Sequence, residues 1–240
     1  MDRAVFPMKL NNPELLRTQS YIDGKWIDAP NGAEFAVDNP ANGSNIAHVS
    51  NLGAQQAEQA ISALSNAKVV IGQLEIPQEV TSAAFRKARE LGITTILNPA
   101  PFAPLSSELI SLCDWIIPNE TEFAGLNPDG KQPDDEVEIL KVAKVLGCNF
   151  VVTLGEKGAA YTDDNGKIIY VAAPKVKAID STGAGDSFVG AFAFGLASGL
   201  GVEKSVQLGC ACASDSVTRR GTQSSYPSKA EAAILLKNLS

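Results

Sequence analysis

A chain of 240 residues with 45% hydrophobic and 20% charged side chains matches the average of folded domains, which excludes disordered, collagen-like and coiled-coil classes. Its length suits one large domain or two small ones. Twenty Lys and Arg against 27 Asp and Glu give a net charge of −7, the wrong sign for a protein held mainly by phosphate backbones or anionic lipid. Neither nucleic acid nor a membrane is therefore expected as a partner.

In chain order, residues 21–27 and 34–37 read as strands of an antiparallel hairpin or meander, joined by the turn-rich Asp28-Ala29-Pro30-Asn31-Gly32. An amphipathic helix follows over 54–66, with Ala57, Ile61 and Leu64 on one side. From Lys68 onward the pattern changes to short aliphatic runs alternating with helices. Strands are predicted at 69–71, 94–97, 115–117 and 150–154, and helices at 77–91 and 137–146. Uninterrupted apolar strands between helices imply a parallel sheet covered on both faces. Residues 161–171 read as a hairpin turning at Asp164-Asn165-Gly166, and the last third as helices over 184–198, 202–217 and 228–239.

The single histidine, His48, stands in no Ser-His-Asp, Cys-His or HExxH context, so chemistry must rest on carboxylates, lysines, backbone amides or a bound cation. Cys113, Cys148, Cys210 and Cys212 are too irregularly spaced for a disulfide framework and read as reduced core thiols. The opening MDRAVFPMKL has no apolar signal core, and the nearly uncharged stretch 188–202 is too short and too rich in Gly and Ala to span a bilayer. A cytoplasmic location is expected.

In an open parallel sheet the ligand crevice lies beyond the carboxyl ends of the strands. Four predicted ends carry informative residues: Gln73-Leu74-Glu75, Asn98-Pro99-Ala100-Pro101, Asn119-Glu120-Thr121-Glu122 and Thr153-Leu154-Gly155-Glu156-Lys157-Gly158. The sharpest segment is Asp180-Ser181-Thr182-Gly183-Ala184-Gly185-Asp186, directly ahead of an apolar helix. Glycines let backbone amides converge there, and the helix N-terminus adds about half a positive charge, which suits a transferring phosphoryl group. Asp186 in the first turn could accept the proton of an attacking hydroxyl. Read alone, the segment is equally a glycine-rich turn with Asp186 as a capping acid.

Those motifs together, with DSTGAGDSFVGA over 180–191 and Gly-Thr-Gln-Ser-Ser-Tyr-Pro over 221–227, occur in one order across residues 68–240. That region resembles the C-terminal portion of the PfkB carbohydrate kinases of the ribokinase type. The resemblance implies a three-layer α/β, ribokinase-like fold with a mostly parallel sheet, whose N-terminal part is replaced by a small β-hairpin and a helix. It also implies phosphoryl transfer from ATP to a ribose hydroxyl. By the same resemblance Asp186 matches the catalytic base, and the amides of Gly183, Ala184 and Gly185 match the anion hole. Asn119 and Glu122 match the pair that organises Mg²⁺ and phosphates through water. Thr153, Leu154, Gly155, Glu156, Lys157 and Gly158 match the nucleotide-binding turn. Asp180, Thr182, Ser216, Arg219, Gly221 and Ser225 match positions ringing a monovalent cation, usually K⁺, and Glu75 matches an acid contacting the sugar.

Residues 11–66 instead resemble the amino-terminal arm of succinate-semialdehyde dehydrogenase type aldehyde dehydrogenases, through Leu15-Leu16-Arg17, Tyr21-Ile22-Asp23-Gly24-Lys25-Trp26 and Asn39-Pro40-Ala41-Asn42-Gly43. The catalytic cysteine region of that family has no counterpart, so dehydrogenase activity is not expected. The reading is a fusion, with an arm over 1–67 and a kinase-like domain over 68–240 that lacks the family's sugar-binding half and β lid. Two functions follow from it: an ATP-dependent sugar kinase, or a non-catalytic nucleotide-binding or interaction module. An uncovered sheet edge predicts that residues 20–66 or a second copy, as a homodimer, cover it.

Overall fold

The computed structural model describes residues 16–39 and 42–239, so Leu15, Pro40 and Ala41 of the dehydrogenase-like motifs lie outside the described residues. The chain divides between Asn66 and Ala67 into two compact units.

In the first unit, β1 (Ser20–Ile22) and β2 (Lys25–Ile27) pair antiparallel across Asp23-Gly24. Both turn residues take positive φ, 48° and 75°, as the tightest hairpin turn requires. The predicted single strand over 21–27 is therefore two strands, because Asp-Gly supplies a two-residue turn in its middle. β3 (Glu34–Asp38) pairs with β4 (Asn45–Ser50), which the sequence reading did not identify, rather than with the 21–27 segment. α1 (Ala54–Ser62) then runs into a single 3₁₀ stretch, Ala63–Asn66, and the Gln56 side chain accepts from the Gly53 amide at its start.

The second unit alternates strand and helix: β5 (Val69–Gly72), α2 (Gln78–Glu90), β6 (Thr94–Leu97), α3 (Ser107–Ser111), β7 (Trp115–Ile116), α4 (Glu120–Leu126), α5 (Glu136–Leu146), β8 (Asn149–Thr153), β9 (Ala159–Thr162), β10 (Ile168–Val171), α6 (Ala184–Ala197), α7 (Val202–Ser216) and α8 (Lys229–Lys237). The sheet order is β10-β9-β8-β7-β6-β5. β5 to β8 run parallel, and β9 and β10 add an antiparallel hairpin. Short α3 and α4 are not among the predicted helices, since five and seven residues are too few to show helical periodicity.

Alternate side chains of the apolar strands feed two cores. Leu97, Ile116, Phe150 and Val152 pack with Phe85, Leu109, Phe123 and Ile139 of α2 to α5. Ile96, Trp115, Ile117 and Val151 pack with Phe188, Phe192 and Val206 of α6 and α7. A strand buried on both faces has no polar phase, which explains the continuous runs in the sequence. The result is the three-layer α/β sandwich, and no helix among the described residues is long and apolar enough to cross a membrane. Because β5 to β8 are parallel, all four carboxyl ends open on one rim. Staggered main-chain bonds knit that rim: Asn98 N–H to Gly72 O (2.9 Å), Ile117 N–H to Leu97 O (2.8 Å) and Thr153 N–H to Pro118 O (3.0 Å).

Candidate active site

At the end of β7, Asn119 caps α4. Its Oδ1 accepts from the Glu122 amide (2.9 Å), while Glu122 Oε2 accepts from the Asn119 amide and Oε1 from Asn119 Nδ2, both at 2.9 Å. Burial pushes the Glu122 carboxyl above its ordinary value, against the Asn119 hydrogen bonds that pull it down; the Asp186 charge adds to the rise.

Beyond β8, residues 154–158 fold into a turn in which Leu154 N–H donates to Gly158 O (2.8 Å) and Gly158 N–H to Gly155 O (3.1 Å). Only glycine fits at 158. Its φ is 105°, and a Cβ there would stand 2.0 Å from Val171 O.

The 180–186 segment is anchored by Asp180. Its Oδ1 accepts from Thr182 Oγ1 (2.6 Å) and Thr182 N–H (3.0 Å), and its Oδ2 from Gly221 N–H (3.1 Å). The Thr182 hydroxyl first, then these amides, hold the Asp180 carboxyl down at about 2. Gly183, at φ 78°, ends the loop as the residue before α6, and Ala184 N–H turns back to Ser181 O (3.2 Å). The amides of Gly183 and Gly185 donate to nothing among the described residues. Asp186 lies at the third position of α6, exposed, with Gln73 Nε2 3.0 Å from its Oδ1.

A cavity of about 880 Å³ joins these pieces, lined by Asn119, Thr153, residues 155–158, Ser181, Ala184 and Gly185. Its other wall is Pro174, Val176 and Phe188 with Cys210, Ala213 and Val217 of the α7 region. That volume fits a nucleotide-sized ligand, with a polar end at the amides and an apolar end for a flat ring. Of the predicted residues, Glu122 stands behind Asn119 through the cap. Leu154 supports the turn from its buried position. Glu75 is exposed, two residues past Gln73, with no hydrogen bond to the rim among the described residues.

The candidate cation residues fall into two hydrogen-bonded sets. Besides the Asp180, Thr182 and Gly221 bonds, Arg219 N–H donates to Ser216 O (3.2 Å), and the Arg219 guanidinium donates to Ser225 O (2.8 Å). Among the described residues no cluster of three or more His, Cys, Asp or Glu could hold a metal by itself.

Parallel strands that end at helix N-termini, a glycine-rich loop and a carboxylate in the following turn stand along one rim of a ribokinase-like fold. The family model for pfkB family carbohydrate kinases matches residues 26–229, and the chain belongs to that family. The match includes part of the segment read as dehydrogenase-like. A ribokinase from Schizosaccharomyces pombe is 38% identical over 173 residues, covering 70% of this chain and 54% of the relative. The chain thus spans about half the length of that curated relative. Among solved structures, a ribokinase from Thermotoga maritima is 34% identical with a TM-score of 0.67, covering 85% of this chain and 69% of that one. An Arabidopsis thaliana ribokinase, solved with ribose and ATP, is 26% identical with a TM-score of 0.69, covering 82% and 66%.

Proposed function

We propose that the chain transfers the γ-phosphoryl group of ATP to a hydroxyl of ribose or a related sugar. One observation carries this reading: Gly185, two residues after Gly183 and directly before Asp186, lines a nucleotide-sized cavity, and the Gly183 and Gly185 amides have no acceptor among the described residues. In the step, the sugar oxygen bonds to the γ-phosphorus, the bond from that phosphorus to the β–γ bridging oxygen breaks, and ADP leaves. Asp186 takes the hydroxyl proton, and the amides meet the charge on the phosphoryl oxygens.

Asn119 and Glu122 suit Mg²⁺ held through water and phosphates, since the ion keeps much of its shell and no protein cage is needed. Mg²⁺ would supply positive charge to the phosphates. Asp180, Thr182, Ser216, Arg219, Gly221 and Ser225 would hold K⁺ through the Asp180 carboxylate and main-chain oxygens, of which Ser216 O and Ser225 O already accept from Arg219.

With Mg²⁺ and K⁺ present, ribose-dependent ADP release should fall at least about a hundredfold in Asp186→Asn. Equal rates in both proteins would sink the proposal.

A second reading, a non-catalytic nucleotide-binding module, draws on Glu75, which is exposed and has no hydrogen-bond partner among the described residues. ATP binding by calorimetry without sugar-dependent turnover would select it. We also propose that residues 1–67 form an aldehyde-dehydrogenase-like arm on a kinase-like domain over 68–240, in a cytoplasmic homodimer; light scattering tests the dimer.

A further inference from the structure

We propose that Gln73 is a positioning residue for Asp186, an inference that rests on the kinase reading for its catalytic meaning but on hydrogen-bond geometry for its existence. Asn98, buried at the end of β6, donates from Nδ2 to Ile117 O at 2.9 Å. That bond fixes the Asn98 amide, so its Oδ1 faces Gln73 as an acceptor. Gln73 Nε2 stands 3.2 Å from this oxygen and 3.0 Å from Asp186 Oδ1. Both neighbours accept only, and an inverted Gln73 amide would set its own oxygen against two oxygens. The two hydrogens of one NH₂ group are therefore spent on Asn98 and Asp186.

The chain from Ile117 O through Asn98 and Gln73 to Asp186 crosses the ends of β7, β6 and β5 and finishes on α6. It ties the carboxylate, which is exposed and carries no ion pair among the described residues, to the buried sheet. One Asp186 oxygen is held by a neutral amide donor too weakly acidic to protonate it. The other is left to accept a proton from a hydroxyl. A lysine in place of Gln73 would hold the oxygen as well but would add a competing charge beside the developing phosphoryl anion; a glutamate would repel it.

The test uses the full chain. The side-chain amide of Gln73 is followed by ¹⁵N–¹H NMR in the wild-type protein and in Asp186→Ala, whose changed residue is exposed. The expected result is a Gln73 amide proton shifted downfield and slowed in exchange, with both effects lost in Asp186→Ala. Gln73→Leu should lower kcat about tenfold or more while the KM for ATP stays within about twofold, and Gln73→Glu should lower kcat further, because misplacing the base affects the reacting geometry and not nucleotide binding. Gln73 amide resonances that are the same in wild type and Asp186→Ala overturn the inference. A wild-type chain without ribose-dependent turnover defeats the kinase reading alone, and the NMR comparison still decides the role of Gln73.

Discussion

Asn119 and Glu122 close on each other at the head of α4 through three hydrogen bonds of 2.9 Å, two of which form a reciprocal cap of side chain to main chain. The cap serves two ends at once. It satisfies helix amides that would otherwise be orphaned, and it holds a buried carboxylate in one orientation behind the cavity.

Asn119→Ala removes the side-chain acceptor of the cap and the Nδ2 donor to Glu122 Oε1, leaving the buried carboxylate held by the main-chain amide of residue 119. We expect a loss of about 1–2 kcal/mol by denaturant unfolding, the usual scale for an N-cap. Asn119→Asp keeps an acceptor for the Glu122 amide but sets a second carboxylate against Glu122. It should therefore recover stability less than fully, and should weaken ATP binding in calorimetry as strongly as Asn119→Ala.

Gly183→Ala strains the loop ahead of α6 in two separable ways. The φ of 78° costs a side-chain-bearing residue about 1–2 kcal/mol, and the added Cβ would stand 2.7 Å from the Tyr226 hydroxyl. The single variant should unfold earlier than wild type and lose ATP affinity. Combining it with Tyr226→Ala relieves the contact but not the dihedral strain. The midpoint of Gly183→Ala/Tyr226→Ala should therefore lie above what the two single changes predict by addition. Strict additivity would mean that Tyr226 does not press on the loop.

The readings that held from sequence were those with a strong local signal. The strands over 69–72, 94–97 and 149–153 are aliphatic on both faces, and the helices of 11 to 15 residues show their period. α3 and α4 left no period, and the Asp23-Gly24 turn was passed over inside an apparently continuous strand. At the site, the glycine and carboxylate motifs were legible because each lies within a few residues. The Gln73 to Asp186 bond was not, since 113 residues separate its partners and no local pattern records which rim residues meet. The apolar wall at Val176, Phe188 and Val217 was hidden for the same reason: in sequence these are ordinary core residues.

The cysteines should be chemically silent in the native protein. Burial pushes Cys148 and Cys210 up to about 12 and Cys212 to about 11, and raises Cys113 further still. The thiolate is the reactive form, so iodoacetamide at about pH 8 should modify the folded chain more than about a hundredfold more slowly than the unfolded chain. Mass spectrometry of timed samples measures this. Cys210 lines the cavity, yet ATP should give it little added protection, because the thiol is already held protonated by its surroundings.

The β9–β10 hairpin offers a pH test. Asp163 Oδ1 accepts from the Lys167 amide at 2.7 Å and from the Asn165 amide at 2.9 Å, and these bonds, the Lys167 one foremost, hold its carboxyl below the ordinary 3.8. A carboxyl lowered in the native state contributes stability in full above its unfolded value and loses it as pH falls through the native one. Asp163→Ala lacks that contribution at every pH. The variant should therefore melt below wild type at neutral pH, and the difference should shrink only under about pH 4, as the wild-type carboxyl takes up its proton. The Lys167 and Asn165 amides, left without their acceptor, should show faster hydrogen exchange in the variant at neutral pH. A melting difference that stays constant from neutral pH to about pH 2 would mean that the turn is held by its Gly166 geometry and main-chain bonds, with the Asp163 charge contributing nothing.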